Sequence, residues 1–379
     1  MRKAIYMDYA ASTPCDTQVV EKMLPYFTEH FGNASSNDHA YGWEAAEAVD
    51  KARQQVADLL HADAADLFFT SGATEAINLG IKGLLPPGDL QGLQVLTNRA
   101  EHAAVLDTCA ALEQRGCSIS YLNLDQQGRL DLVQLEAQLQ LKPALLAIQY
   151  ANNETGVIHP IREIATLAKQ AGVPFFCDAT QAVGKIPVDV QADGLSLLAL
   201  SGHKIYGPKG VGALYVQQGC QARLMAQQQG GKQEKGFRSG TLNVPGIVGL
   251  GEAASRCVQH LAEEGERLTA FRVQLEQRLL EAIPDMQIHG QQADRLPHIS
   301  NLYFPDCHAE QLLLKLSSRL ALSRGSACSS AQRRPSRVLM AMGLPEEQAH
   351  EAIRISMGRP TSAEELDRVI DLLLETLSA

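Results

Sequence analysis

The chain has 379 residues, of which 45% are hydrophobic and 20% charged, and its formal net charge is −10 at pH 7. This composition is typical of a soluble globular protein large enough for two domains. The acidic balance argues against a surface built for nucleic acid or for anionic membranes. No apolar run reaches membrane-spanning length, and the first residues, MRKAIYMDYAAST, lack the apolar core of a signal peptide. We therefore expect a cytoplasmic protein that contacts neither membrane nor nucleic acid directly.

The eight cysteines are scattered, without CxxC pairs and without the His/Cys spacing of a metal site. Such a distribution is typical of reduced, mostly buried thiols in a cytosolic protein, and it does not indicate a disulfide framework. We accordingly predict no metal site.

Taken in order, the first two thirds of the chain alternate helical patterns with short apolar runs. The helical patterns are 44–60, Ala103–Arg115, Asp131–Leu141 and Ile161–Ala171. The predicted strands are Leu67–Thr70, Gln94–Thr97, Ser118–Leu122, Ala144–Gln149, Pro174–Cys177, Ser196–Leu200 and Val211–Tyr215. This alternation indicates an α/β fold with a mainly parallel sheet of seven strands.

The pattern changes from about Gly249 onward. A long amphipathic helix is predicted from Ile247 to Ala282. Short strands then mix with helices, and these strands are predicted at Met286–His289, Ile299–Phe304, Ala321–Ser323 and Ile353–Met357. We predict a large domain at 15–255 and a smaller α+β domain formed by 256–379 together with 1–14.

Polar residues cluster directly after five of the predicted strands. The clusters are Thr70–Glu75, Glu101–His102, Asn152–Gly156, Asp178 and Ser201–Lys204. In open α/β sheets, ligands bind beyond the carboxyl ends of the strands. We therefore expect the five clusters to converge on one crevice.

Two of these positions suit pyridoxal phosphate. Lys204 supplies an amine that can form a Schiff base, and Asp178 supplies a carboxylate that can keep a ring nitrogen protonated. Most Asp and Lys residues merely face water, so the interpretation depends on what surrounds the pair.

Further donors in the clusters fit the same cofactor. Ser71–Glu75 resembles a phosphate-binding turn that opens a helix, although a simple N-cap box is the alternative. Ser201 and His203 can donate to the same phosphate. His102 can stack on a flat ring and exchange protons, and Gln181 can reach the phenolic oxygen; a structural role is the alternative for each.

Three features lie outside the clusters. Arg354 is a charge on an apolar strand, which predicts a carboxylate partner from substrate or from protein. The Gly-rich stretch 230–241 has no dinucleotide fingerprint, and a flexible linker is its alternative interpretation. Cys328 lies among small residues, 323–331, which predicts an exposed loop carrying a usable thiol.

Seven motifs together closely resemble the cysteine desulfurases of the class V aminotransferase family, which have fold type I of the pyridoxal phosphate-dependent transferases. They occur in the family's order along nearly the whole chain. The motifs are SGATE (71–75), EH (101–102), NNETG (152–156), DATQ (178–181), SGHKIYGPKG (201–210), RSGT (238–241) and GSAC (325–328). The last motif resembles that of the long-loop subgroup.

The resemblance implies roles for individual residues. Lys204, Cys328 and His102 are the implied catalytic residues, and Asn153 and Arg354 the implied substrate-binding residues. The implied cofactor-binding residues are Ala73, Thr74, His102, Asn153, Asp178, Gln181, Ser201, His203, Lys204 and Thr241. The resemblance places Thr241 in the site of the other subunit of a homodimer.

The implied reaction takes sulfur from L-cysteine. Lys204 removes the Cα proton, and the Cys328 thiolate attacks the substrate sulfur, which leaves L-alanine and a persulfide on Cys328. A sulfur-acceptor protein then receives the sulfur for iron–sulfur cluster assembly, tRNA thiolation or DNA phosphorothioation.

Departures from the family pattern narrow the range of expected sulfur-transfer pathways. Residues 33–36 read NASS instead of NPSS, Lys232 replaces a common Gly, and Arg324 precedes GSAC. The sequence also stops soon after Leu374, without the longer extension of the housekeeping members, so a specialised sulfur donor is expected. The alternatives are a pyridoxal phosphate-dependent aminotransferase or cysteine/selenocysteine lyase, which needs no Cys328 relay, and a catalytically silent relative.

Overall fold

The computed structural model describes residues 4–325 and 334–378. Its strands are β1 (Ile5–Tyr6), β2 (Leu67–Thr70), β3 (Gln94–Asn98), β4 (Ser118–Leu122), β5 (Leu145–Gln149), β6 (Phe175–Asp178), β7 (Leu197–Ser201), β8 (Gly212–Val216), β9 (Gln287–Ile288), β10 (Ile299–Tyr303), β11 (Leu320–Ala321) and β12 (Ile353–Ser356). Its helices are α1 (Thr17–Met23), α2 (Pro25–Thr28), α3 (Ala40–Leu60), α4 (Ala73–Gly83), α5 (Ala103–Glu113), α6 (Leu132–Leu139), α7 (Ile161–Ala171), α8 (Gln218–Gln221), α9 (Val244–Ala282), α10 (Ala309–Leu316), α11 (Arg337–Ala341), α12 (Glu346–Glu351) and α13 (Ala363–Leu377). No helix in these ranges combines the length and the apolarity needed to cross a membrane.

The central sheet has seven strands in the order β2-β8-β7-β6-β5-β3-β4. β8 runs antiparallel to both of its neighbours, β2 and β7, and the remaining pairs are parallel. Six strands therefore point the same way, and their carboxyl ends lie at one edge. This confirms the predicted α/β class with a mainly parallel seven-stranded sheet.

Helices cover the sheet on both faces. Along β6, Phe175 and Cys177 belong to one hydrophobic cluster, whereas Phe176, which points the opposite way, belongs to another. Helices α3, α7 and the first part of α9 pack into the first cluster, and α4 and α5 pack into the second. Burial on both faces explains why these strands read as continuous apolar runs.

Two helices begin earlier than the sequence pattern predicts, and in both cases a cap is responsible. The α3 helix starts at Ala40 because the His39 ring accepts the N–H of Gly42. Similarly, α9 starts at Val244, where the side chain of Asn243 accepts the N–H of Gly246. Neither capping residue contributes to the apolar periodicity from which the helices were predicted.

A third hydrophobic cluster lies beside the antiparallel sheet β12-β10-β9. The 39 residues of α9 connect it to the large sheet: Leu250 and Ala254 belong to the first cluster, whereas Leu268 and Leu279 belong to the third. The change of core along α9 supports the predicted division between 255 and 256, which stays a prediction.

The N-terminal segment packs against the small sheet. β1 pairs in parallel with β11, and Asp8 forms a bridge with Ser356 at the end of β12. Met7 is fully buried in the third cluster. These contacts support the assignment of residues 5–8 to the small domain, and the predicted extent 1–14 stays a prediction.

A buried ionic network connects the parts of the chain around the middle of α9. Glu264 accepts hydrogen bonds from Lys185 Nζ at 3.2 Å and from Arg359 Nε at 2.8 Å. Both cations also lie over the Tyr206 ring, 4.2 Å and 4.3 Å from its centroid. Glu264 and Lys185 are 7% and 6% exposed, so water cannot solvate either charge if its partner is lost.

We predict that Glu264→Ala destabilises the protein by about 3–5 kcal/mol, because Lys185 then remains as an uncompensated buried charge. Urea unfolding measures this change. Glu263→Ala, on the exposed side of the same helical turn, is the matched control and should shift the free energy of unfolding by no more than about 0.5 kcal/mol. Equal effects of the two substitutions would show that the network adds nothing to stability.

Candidate active site

A cavity of about 510 Å³ opens at the carboxyl edge of the central sheet, and all five polar clusters contribute to its wall. The predicted site residues that line it are Ala73, Thr74, His102, Asn153, Asp178, Gln181, Ser201, His203, Lys204 and Arg354. Thr241 is exposed and does not belong to this wall. Cys328 lies outside the described residues. The expected convergence of the strand-end clusters is thus confirmed.

Lys204 reaches the cavity from the 3-10 turn Gly202–Lys204, which follows β7. Its Nζ donates to the carbonyl oxygen of Ala10 at 2.5 Å and to that of Ala11 at 2.8 Å. Sequence reasoning missed these two acceptors, because a backbone carbonyl on an Ala residue carries no chemical signature. The run of small residues from Ala10 to Thr13 was the available signal.

Asp178 is the last residue of β6 and is buried. Its Oδ1 accepts both the N–H and the hydroxyl of Thr180, at 3.0 Å and 2.5 Å. This pair of bonds fixes the orientation of the carboxylate at the cavity wall. Nearby, Gln181 Nε2 donates to the carbonyl oxygen of Ala10 at 3.0 Å, so Gln181 and Lys204 share an acceptor.

The N-terminus of α4 has the form of an anion cradle. Gly72 adopts φ = +147°, which a residue with a side chain rarely tolerates, and no side chain of the described residues caps the helix. A Cβ on Gly72 would lie 3.7 Å from Ser201 Oγ. Glu75 accepts the N–H of Ser71, not that of the N-cap residue, so the alternative of an N-cap box is wrong. The first N–H groups of α4 therefore face the cavity without a side-chain cap.

Two histidines border the cavity in the neutral state at pH 7. Burial, together with the charges of Lys204 and Lys209, lowers the pKa of His203 to about 4. Burial also lowers the pKa of His102, although the charge of Asp178 acts in the opposite direction. The N–H of Ala104 donates to His102 Nδ1 at 3.1 Å, which leaves Nε2 to carry the proton of the neutral ring.

Arg354 is 1% exposed and enters the cavity from β12. Its Nη2 donates to Asp8 Oδ1 at 2.6 Å and its Nη1 to the carbonyl oxygen of Asn153 at 2.8 Å. The predicted carboxylate partner is thus present within the protein. Nε is buried and has no partner in the described ranges, so the protein leaves part of the donor capacity of this guanidinium unused.

The Gly-rich stretch is attached to the protein by two ion pairs. Glu234 is buried and accepts two hydrogen bonds from Arg53, each at 2.8 Å. Arg238 Nε donates to Glu75 Oε1 at 2.8 Å, next to the α4 N-terminus. A flexible linker would not make such contacts, so that alternative does not hold for this part of the chain.

Burial raises the pKa of every described cysteine. The residues are Cys15, Cys109, Cys117, Cys177, Cys220, Cys257 and Cys307, and the pKa of Cys109 rises to about 12. In each, the raised pKa disfavours the thiolate, which is the form that reacts as a nucleophile. None of them is a candidate nucleophile.

Glu101 is a buried acid behind the cavity wall to which the sequence analysis assigned no role of its own. Its Oε1 accepts from Asn98 Nδ2 at 2.6 Å and from the N–H of Gln149 at 2.8 Å, while Oε2 has no partner in the described residues. Burial raises the pKa of Glu101 well above its usual range, and the charge of Asp178 adds to this effect. A neutral Glu101 places no further negative charge beside Asp178.

We predict that Glu101→Gln stabilises the protein relative to wild type increasingly as the pH rises. The unfolded chain releases the Glu101 proton near its ordinary pKa of 4.5, whereas the native state retains it. The native state then binds more protons, so wild-type stability falls as the pH increases above that value. Glutamine has no proton to lose.

Urea unfolding at about pH 5 and about pH 8 tests this linkage. Glu113→Gln, at an exposed position on α5, is the control, and its difference from wild type should not depend on pH. A pH-independent difference for Glu101→Gln as well would show that Glu101 is ionised in the native protein.

The family model described as Aminotransferase class-V matches residues 5–369. Cysteine desulfurase IscS of Anaeromyxobacter sp. (strain Fw109-5) is 48% identical over 375 residues, which are 99% of this chain and 93% of that protein. A solved NifS-like protein has a TM-score of 0.91 at 32% identity and covers 99% of both chains. SspA, solved in complex with cysteine, has a TM-score of 0.80 at 35% identity over 93% of this chain and 98% of that one. The chain therefore belongs to the aminotransferase class-V family and, within it, to the cysteine desulfurases.

Proposed function

We propose that this protein binds pyridoxal phosphate and transfers sulfur from L-cysteine to its own Cys328, with L-alanine as the second product. The observation that carries the proposal is the arrangement of the cavity: an amine, a carboxylate and an uncapped helix N-terminus face one space of about 510 Å³. Pyridoxal phosphate has one group for each of them, namely an aldehyde, a ring nitrogen and a phosphate.

The residues present fit this cofactor. The N–H groups of Ala73 and Thr74, with Ser201 and the neutral His203, are donors suited to a phosphate. Lys204 and Asp178 would hold the aldehyde carbon and the ring nitrogen. When bound, the cofactor supplies an electron sink that makes the Cα proton of an amino acid removable.

The protein's own groups then position the substrate and move protons. Arg354 lines the cavity and is suited to bind the carboxylate of L-cysteine, and Asn153 lies beside it. Lys204 Nζ accepts the Cα proton. His102 presents Nε2–H towards the cavity, because Nδ1 is occupied by the N–H of Ala104, and this fits the ring to donate and recover a proton.

The sulfur step is balanced without an external oxidant. The Cys328 thiolate forms an S–S bond with the substrate sulfur, and the Cβ–S bond of the substrate breaks. A proton is delivered to Cβ, so that the organic product is L-alanine and Cys328 carries a persulfide. A sulfur-acceptor protein afterwards takes up the terminal sulfur.

A homodimer is part of the proposal. Phe27, Phe31 and Trp43 are 60%, 65% and 58% exposed, which is unusual for three large apolar side chains close together in the sequence. A second copy of the chain would cover such a surface and would bring its exposed Thr241 towards the phosphate site. Sedimentation should therefore give twice the mass of one chain.

We predict that Cys328→Ala binds the cofactor but forms no alanine from L-cysteine. The test records the visible spectrum and the sulfide and alanine released from L-cysteine with a reductant. Wild type should show a band near ~420 nm and form both products. Lys204→Ala should lose the band and turnover together.

Other outcomes would lead to other conclusions. Unchanged turnover in Cys328→Ala would indicate a cysteine lyase, in which no protein thiol accepts the sulfur. A wild-type protein that binds no pyridoxal phosphate would contradict the assignment of the cavity.

A further inference from the structure

Glu154 lies in the NNETG motif next to Asn153, and the proposed chemistry gives it no role. It is 6% exposed, and its backbone is fixed on both sides. The N–H of Glu154 donates to Asn152 Oδ1 at 2.9 Å, and its carbonyl oxygen accepts from Asn301 Nδ2 at 3.2 Å. The main chain that carries the Glu154 side chain is therefore held in place next to Asn153, which lines the cavity.

The carboxylate of Glu154 binds the C-terminal side of the segment that contains Cys328. The hydroxyl of Ser336 donates to Glu154 Oε2 at 2.5 Å, a short, charge-assisted hydrogen bond. Ser336 is also the N-cap of α11, where its Oγ accepts the N–H of Leu339 at 3.2 Å. Glu154 thus determines where α11 begins relative to the cavity.

The same carboxylate lies against the N-terminal side of that segment. Gly325 has φ = +121°, and a Cβ built on it would lie 2.8 Å from Glu154 Oε2. The preceding residues are fixed too: Ser323 and Arg354 exchange backbone hydrogen bonds of 3.4 Å and 2.7 Å, and Ser323 Oγ donates to the carbonyl oxygen of Gly325 at 2.9 Å. The positive φ favours glycine at this position, and the absence of a side chain lets the turn approach the Glu154 carboxylate closely.

We propose that Glu154 is a positioning residue for sulfur transfer: its buried carboxylate, next to the cavity-lining Asn153, bonds Ser336 and packs against Gly325 on either side of the stretch that carries Cys328. This inference depends on the proposed desulfurase function. Because a displacement of about 1 Å can cost about 100-fold in rate, loss of this anchor should slow thiol attack far more than it weakens binding of L-cysteine.

The test uses purified holoenzyme and separates two steps. The change in cofactor absorption on adding L-cysteine reports binding, whereas persulfide on Cys328 in a single turnover without reductant, measured by alkylation and mass spectrometry, reports thiol attack. For Glu154→Ala we expect persulfide formation to slow by about 10- to 100-fold, with L-cysteine affinity within about twofold of wild type.

Conservative variants distinguish anchoring from general loss of structure. Glu154→Gln keeps an oxygen that can accept the Ser336 hydroxyl, so it should recover most of the rate lost in Glu154→Ala. Ser336→Ala should slow persulfide formation, and adding it to Glu154→Ala should slow the reaction no further. The matched control is Ser362→Ala, which removes the N-cap of α13 and should not change the rate.

Each remaining outcome leads to a defined conclusion. A Glu154→Ala rate within about twofold of wild type would overturn the inference, as would a parallel loss of L-cysteine binding and persulfide formation. If Glu154→Ala does not fold, L-cysteine binding and persulfide formation measured in Glu154→Gln and Ser336→Ala test the inference instead. A wild-type protein that forms no persulfide would overturn the desulfurase proposal itself.

Discussion

Six strands of the central sheet run in the same direction, and this places the residues of the candidate active site next to one another. Since β2, β3, β5, β6 and β7 are parallel, the residues that follow them emerge at one edge. The strands are buried on both faces, so the main-chain positions from which Asp178 and Lys204 extend are held by the core. The N-termini of α4 and α5 lie at the same edge and add N–H donors. The site is therefore a consequence of strand direction before any side chain is considered.

Burial then determines which groups carry charge at this edge. Glu101 and His203 are both ionisable, but burial shifts the pKa of each towards its neutral form. Among the charged side chains at this edge, Asp178, Lys204 and Arg354 are each oriented by a specific partner: Thr180, the carbonyl oxygens of Ala10 and Ala11, or Asp8. The proposed pyridoxal phosphate site needs charges in defined places, and the desolvated neighbours add none because they stay neutral.

Sequence patterns predicted the strands and the strand-end clusters because both depend on local information: apolar runs for the strands, and polar residues in register at their ends. Ala10 and Ala11 could not be predicted, since only their carbonyl oxygens act on Lys204 and the contact spans the chain. The pairing of Arg354 with Asp8 could not be predicted either, because the two residues are far apart in the sequence. Thr241 was identified through family resemblance alone, whereas the small residues around Cys328 had already indicated a usable thiol. The role proposed for Thr241 involves a second copy of the chain, and Cys328 lies outside the described ranges.

The geometry of the cavity depends on the small domain as well as on the central sheet, because the N-terminal segment connects the two. The N–H of Ala10 donates to Ser356 Oγ at 2.9 Å, at the end of the strand that carries Arg354. The acceptor of Lys204 Nζ and the proposed substrate-binding arginine are therefore positioned by one strand, β12. Any displacement of β12 relative to the central sheet changes both contacts at once. The buried pairing of Glu264 with Lys185 and Arg359 opposes such a displacement, so the ionic network on α9 helps to keep Lys204 and Arg354 in register.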